Sequence, residues 1–340
     1  MEFGTASAHA RRTVQENPEQ GIIERQRLLA CAIQMFGREN SETAIAMYNL
    51  AFAYRASGQL DQALEFFGQS LEFYEKRAGF NSLHAANALN AMGSALMKVG
   101  QFKSAEVRLK QALEVYRRLG NQDGVAMTLD NLGVLALSEK RFQDAVNYFQ
   151  EVWSYRVRTA GERSWGTAIV EANMGTAYWN LSRAERNPSK KEEYLHKGEE
   201  RIRAALATAD QLNRSESPWW KGELSLVLTA EGRYRDAWDA GVDYLRYNEA
   251  NFGHDTYFAG EAQANLAVIC AYWKGCPEKP ARLMDQGRRM IRRGAAMLVS
   301  GLSEREQLTL LSENTQETFE DALSLAVANP KDSELASRSA

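Results

Sequence analysis

The sequence predicts an all-α fold, a right-handed superhelix of stacked helix pairs (an α-solenoid) finished by capping helices. Three observations carry this. First, one phrase of small and large apolar residues recurs. It runs Asn49-Leu50-Ala51, Tyr54, Gly58, Ala63, Phe67. It returns as Met92-Gly93, Leu96, Gly100, Ala105, Leu109, Ala112, and again as Leu132-Gly133, Ala145, Phe149. Ala51 to Gly93 spans 42 positions and Gly93 to Gly133 spans 40, the signature of a helical repeat array. Second, within each phrase small residues stand where two helices must touch and a glycine where the first helix must end. Third, the chain has only 6 prolines in 340 residues, as a mostly helical chain requires.

The elements follow in order. Residues 1–41 are expected to cap the array. Residues 1–16 are weakly patterned, either a frayed tail or a helix over the first face. Pro18 and Glu19 suit the first turn of a helix running to about Gly37. A first unit has helices over about 42–57 and 60–78. A second starts near Ser82 and ends near Leu119, with Gly120 as a C-cap. A third spans about Gln122 to Ala160. The fourth carries Met174-Gly175 and Tyr178, and there the spacing breaks. The counterpart of Ala63 would fall at 187, but Gly198 fits it better. About eleven residues, RAERNPSKKEE, are therefore inserted near 183–195, as a surface loop or a helical extension. In the fifth unit Gly232 and Ala237 match Gly58 and Ala63. Gly241 replaces the aromatic, which shifts local packing toward Trp238 or Tyr244. The sixth restores Asn265-Leu266-Ala267 and has a long turn with Pro277 and Pro280. The array closes near 300. Residues 301–330 read as a capping or connector helix, and 331–340 as a flexible polar tail.

The residues Ala51, Tyr54, Gly58, Ala63 and Phe67 resemble the tetratricopeptide-repeat (TPR) pattern position by position. The period of about 40 to 42, against the usual figure of about 34, resembles the kinesin-light-chain-like branch. That resemblance implies a groove lined by the first helix of each unit. A second resemblance lies in GLSEREQLTLLSENTQETFEDALSLAV. It is similar to the connector of bacterial proteins that join such repeats to a caspase-like CHAT peptidase. It implies a peptidase effector in cis or in trans.

Composition excludes several classes. The 44 acidic and 41 Lys plus Arg residues give a net charge of -3, which calls for neither nucleic acid nor a membrane surface as partner. No apolar run reaches the length of a span, and the amino terminus has no secretory h-region. The three cysteines, Cys31, Cys270 and Cys276, are too few and too odd for a disulfide framework, so a reducing, cytoplasmic setting is expected. Cys31 and Cys270 lie in apolar text and read as core; Cys276 lies in a turn and reads as exposed. The four histidines fall in separate segments with no ligand spacing, so no metal and no cofactor are expected. No phosphate loop, nucleophile elbow or Cys–His pair is present, and no enzyme activity is expected.

Function then falls to the groove. The TPR resemblance singles out the asparagine before each small-residue phrase: Asn49, Asn131, Asn173 and Asn265. In related arrays this side chain bonds the backbone of an extended guest, and a carboxamide can both donate and accept. The same side chains could equally cap a turn or bond across repeats. The second and fifth units depart, with Ala91 (beside Asn90) and Glu223. Phe52, Arg55, Asn90, Lys98, Asp130, Trp179, Asn180 and Tyr272 complete the candidate lining. Arg55 and Lys98 suit an acidic group and Trp179 an apolar one. Outside the groove, Arg288, Arg289, Arg292 and Arg293 form a basic cluster, read as ion-paired with Glu304, Glu306 or Glu313, or as an outer-face contact. Trp219 and Trp220, beside Pro218, are expected to close the junction between the fourth and fifth units. The sequence thus predicts a scaffold or regulatory sensor for a protein or peptide. A receptor for a small signalling peptide and a nucleic-acid-associated adaptor using the basic helix stand as alternatives.

Overall fold

The computed structural model describes residues 18–78, 81–214 and 218–299. They form thirteen α-helices, and no strand occurs among the described residues. In chain order these are α1 (Pro18–Phe36), α2 (Ser41–Ala56), α3 (Leu60–Ala78), α4 (Leu83–Lys98), α5 (Phe102–Arg118), α6 (Gln122–Ser138) and α7 (Phe142–Ala160). Then follow α8 (Trp165–Ala184), α9 (Pro188–Gln211), α10 (Pro218–Ala230), α11 (Tyr234–Phe252), α12 (Tyr257–Tyr272) and α13 (Pro280–Val299). The fold is an all-α solenoid of repeating helix pairs. The segments 1–17 and 300–340 lie outside the described residues. So do the expected connector, the tail and the proposed partners Glu304, Glu306 and Glu313.

Packing groups the chain into two compact units, Met1–Arg141 and Phe142–Ala340. In the first, each of α1 to α5 packs on its successor, and α4 also touches both α2 and α6. In the second, each of α7 to α12 packs on its successor, and α10 also touches α8 and α12. Within each unit the first helices of successive pairs are therefore neighbours and share a face.

The recurrent phrase is what makes this packing possible. Ala51, Ala63 and Phe67 are fully buried and share one cluster with Leu50, Tyr54 and Ala91. A methyl placed on Gly93 would stand 2.6 Å from Leu109 Cγ, so the missing side chain is what seats that leucine. Polar caps start the helices. Asn40, Ser82, Asn121, Ser164, Asn187 and Thr256 each accept a backbone N–H of the first turn. After α2 the N–H of Gly58 donates to Arg55 O and that of Gln59 to Tyr54 O, with Gly58 at φ +81. This is a Schellman ending, which requires a left-handed residue. Gly100 and Gly232 repeat it after α4 and α10, and after α6 Lys140 takes the left-handed place at φ 59.

The inserted residues of the fourth pair are helical. They lengthen α8 to Ala184 and begin α9 at Pro188, behind the Asn187 cap. A Cβ on Gly198 would lie 3.4 Å from Gly175 O, so Gly198 fills the place of Ala63. Buried Leu195 and Ser182 bracket the exposed stretch 183–193, Glu185 in it half-buried. Replacing 183–193 by a Gly-Ser link should change unfolding stability by less than about 1 kcal/mol, the range of surface changes. A larger loss by chemical denaturation would show that the extension packs into the array.

Tyr244 is buried and Trp238 packs on the core, beside Gly241. Leu266 occupies the surface of Gly241, 2.8 Å from where a Cβ would be, while Tyr244 packs over Gly222. Three expectations need correction. Of the tryptophan pair, Trp220 is buried against Trp165 at 5.4 Å, but Trp219 is 61% exposed. Cys31, on α1, is exposed. Cys270 and Cys276 are joined by a disulfide, and Cys276 is half-buried. Their separation of 6 spans the last turn of α12 and a fold-back that periodicity does not reveal.

Candidate functional site

In the first unit the shared face is formed by α2, α4 and α6. Phe52 is 39% exposed on α2, and the Arg55 guanidinium lies 4.2 Å over its ring. Arg55 Nη1 donates to Ser94 Oγ of α4 at 3.0 Å. Burial lowers the Arg55 pKa from its ordinary value, with Tyr48 acting in the opposite sense; burial also raises that of Tyr48. This cation is thus partly desolvated, stacked and oriented, the condition under which a charge-assisted bond is strong. Asn90 is buried, and its Oδ1 accepts from Asn131 Nδ2 of α6 at 3.0 Å. Those two carboxamides therefore hold α4 to α6, the second of the two roles open from sequence. The Asn49 carbonyl accepts from Arg25 Nη1 of α1 at 2.6 Å. Its carboxamide makes no hydrogen bond among the described residues. Lys98 is exposed at the end of α4, and Asp130 is half-buried on α6 beside Asn131.

In the second unit the corresponding face belongs to α8, α10 and α12. Asn173 and Asn265 are half-buried, and neither carboxamide is hydrogen-bonded among the described residues. Asn180 Nδ2 donates to Thr176 O of its own helix at 3.0 Å, which takes it out of the row. Trp179 packs against the apolar core of this unit, and Arg183 approaches its ring at 5.8 Å. It is a wall of the face rather than a free anchor. Tyr272, 46% exposed, ends α12.

The four arginines of α13 do not act alike. Arg293 Nη1 pairs with Asp255 Oδ2 at 3.0 Å, Arg289 and Arg292 are exposed, and Arg288 is half-buried. Asp255 lies just before α12, and the expected glutamate partners lie outside the described residues.

Sequence reasoning missed several members of these faces. Met127 and Val134 are exposed one turn to either side of Asn131, and Trp219 stands one turn before Glu223. Ser94 fixes Arg55. The signal was register alone, since each lies a helical turn from the asparagine position. Chemically, the faces offer amides, a desolvated cation and apolar rings. No group of three or more His, Cys, Asp or Glu able to hold a metal occurs among the described residues. No described helix is long and apolar enough to cross a membrane.

Residues 7–76 and 84–152 match the tetratricopeptide-repeat family model. The fold is that of a tetratricopeptide-repeat (TPR) array. Solved structures agree. The apo form of RapI is 12% identical, covers 88% of this chain and 98% of its own, and superposes with a TM-score of 0.61. The Rap conjugation gene regulator of plasmid pLS20, in complex with the Phr* peptide, is 13% identical over 92% of this chain and 76% of its own, with a TM-score of 0.56. The TPR-like repeats of a putative kinesin light chain from Podosopora anserina are 17% identical over 63% of this chain and 97% of their own, with a TM-score of 0.50. At these identities the likeness is one of fold. No curated protein matches the chain by sequence.

Proposed function

We propose that the TPR faces bind an extended peptide, or an extended segment of a protein partner, and that the chain acts as a scaffold or regulator with no chemistry of its own. The observation that carries this is a pair of open carboxamides on the face of the second unit. Asn173 on α8 and Asn265 on α12 are half-buried and unbonded among the described residues, and so is Asn49 on α2 of the first unit. A half-buried amide with no internal partner gains from a guest backbone that both donates and accepts. Tyr272 on the same unit supplies apolar contact, and on the face of the first unit Phe52 and Arg55 supply apolar contact and a cation for an acidic side chain. Asn90, Asn131 and Asn180 serve the fold first and contribute less.

A receptor for a short signalling peptide is the second reading. It is favoured by the likeness to the pLS20 regulator, whose structure holds a peptide. Control of a caspase-like peptidase rests on the resemblance of 301–327 alone. A nucleic-acid role would need the α13 arginines, one of which is ion-paired.

The test is a titration with a peptide selected on the protein from a random unstructured library. The double change Asn173→Ala with Asn265→Ala should leave helicity intact and weaken binding by about tenfold, two lost bonds of roughly 0.5 to 1.5 kcal/mol each. Arg289→Glu with Arg292→Glu should leave it unchanged. The reverse pattern would move the site to α13.

A further inference from the structure

The turn after α12 differs from its counterparts. The turns inside the pairs α2/α3, α4/α5, α8/α9 and α10/α11, and the one after α6, have three residues each, whereas 273–279 has seven. Most of the short turns close on a left-handed residue, but none of residues 273–279 has positive φ. The long turn folds back by other means. Trp273 N–H donates to Ile269 O at 3.0 Å, and Cys276 N–H donates to Trp273 O at 3.1 Å. Trp273 packs toward Trp238 with ring centres 6.5 Å apart, and Gly275 lies under the Trp273 indole. This brings Cys276 to Cys270 with a Cα–Cα distance of 5.1 Å, inside the range a disulfide spans.

We propose that Cys270 and Cys276 are a reversible redox modification site, a latch that pins the 273–279 turn onto the end of α12. Three observations carry it. The pair is bonded, so both sulfurs are placed for chemistry. The closed loop is short, and a short loop gains least from chain-entropy restriction, so the fold does not depend on the bond. The α12/α13 contact is held elsewhere, where Gly260 and Gly287 let the two backbones meet. The two sulfurs also differ in access, since Cys270 is 5% exposed and Cys276 is half-buried. Exchange begins at the accessible sulfur.

The oxidant is a low-molecular-weight disulfide of the glutathione class. The Cys276 thiolate attacks one of its sulfurs, forming a mixed disulfide and expelling one small thiolate. The Cys270 thiolate then attacks Cys276 Sγ, closing the protein disulfide and expelling the second. Two protein thiols are oxidised, one small disulfide is reduced, and the two protons released by the cysteines end on the two small thiols. Reduction runs the same steps backward. The latch acts next to Tyr272, which lies on the open face between the bonded Cys270 and Trp273, so its state sets the mobility of that end of the face.

The experiment uses the full chain with Cys31→Ser, equilibrated in reduced and oxidised glutathione mixtures, then acid-quenched, alkylated and weighed intact. Cys270 and Cys276 should gain and lose label together, with the midpoint inside the series. In Cys270→Ser one glutathione should remain on Cys276. Trypsin should cut after Lys274 about fivefold faster in the reduced protein, because cleavage follows the opening of the turn. Two results would overturn the latch: thiols still free in glutathione disulfide alone, or a bond that survives excess dithiothreitol in the folded protein. Equal cleavage rates in the two states would overturn its action on the turn. If Cys270→Ser loses its helical dichroism, the single-glutathione adduct is sought on Cys276 by peptide mapping of a brief exposure of the parent protein. An adduct on Cys270 instead would overturn the assigned order.

Discussion

Gly260→Ala should cost about 3 kcal/mol, the upper end of what an added methylene does in a packed core. A Cβ at 260 would stand 2.7 Å from Gly287 O and 2.7 Å from Ile291 N. Both are backbone atoms of α13, so no rotamer change relieves the clash and the two helices must separate. The reciprocal change Gly287→Ala meets Gly260 O at 2.8 Å and Ala264 N at 3.1 Å and should cost a similar amount. Gly68→Ala is the control. It lies in α3 with nothing within 4 Å of the new methyl, so it should be neutral or stabilising by up to about 1 kcal/mol, the helix-propensity gain. All seven tryptophans lie beyond Arg141, so urea unfolding followed by tryptophan fluorescence reads the second unit, while the Gly68→Ala control, in the first unit, is followed by far-ultraviolet circular dichroism. A Gly260→Ala midpoint equal to that of the parent would mean that α12 and α13 do not meet there.

These glycines show what the repeat phrase does and does not encode. Helix pairs, their ends and their caps were legible because they depend on local chemistry. A left-handed glycine ends α2, α4 and α10, and Gly198 was recoverable as the displaced counterpart of Ala63 because only a small residue fits against Gly175. The Gly260–Gly287 contact was not legible. Both glycines fall outside the recurrent phrase, and the reason for each is the other, 27 positions away in the chain. The disulfide was hidden for the same reason, since it depends on how one irregular turn folds.

The candidate site was legible in register and less so in role. Asn49, Asn131, Asn173 and Asn265 fall on first helices as periodicity required. Whether a carboxamide faces a guest or a neighbouring helix depends on what stands opposite. Asn131 meets Asn90 because the second repeat departs from the pattern and carries Asn90 beside Ala91. Asn173 and Asn265 flank α10, whose matching position carries Glu223, and neither carboxamide is hydrogen-bonded among the described residues. The exposed Trp219 had the same ambiguity as its buried neighbour Trp220, because two adjacent tryptophans on a helix cannot share a face.

Arg201→Ala should destabilise the second unit by about 2 kcal/mol at neutral pH, by leaving a buried carboxylate short of its cation. Glu171 of α8 is 6% exposed. Its Oε1 accepts from Trp153 Nε1 of α7 at 3.2 Å and lies 3.7 Å from Arg201 Nη1 of α9. The guanidinium in turn lies 4.7 Å from the centre of the Trp153 ring, so one cluster ties three helices. Burial raises the Glu171 pKa above its ordinary value, against the opposing effects of the Trp153 bond and the Arg201 charge, while Glu162 and Glu200 push it further up. An acid whose folded pKa exceeds its unfolded one binds its proton more tightly when folded. Its contribution is therefore most favourable below the unfolded pKa, and stability falls as pH rises to the folded value. Removing Arg201 deletes a charge that lowers the folded pKa, so the window widens. The deficit of Arg201→Ala should shrink toward the acid side, where Glu171 is protonated, and be full at neutral pH. Glu171→Gln should abolish this window. The pair Glu171→Gln with Arg201→Met should recover most of the loss, because a buried ion pair replaced on both sides leaves no orphaned charge. The measurement is tryptophan-monitored urea unfolding of all four proteins at a series of pH values. A pH-independent deficit in Arg201→Ala would place its cost in lost packing over Trp153 rather than in the charge on Glu171.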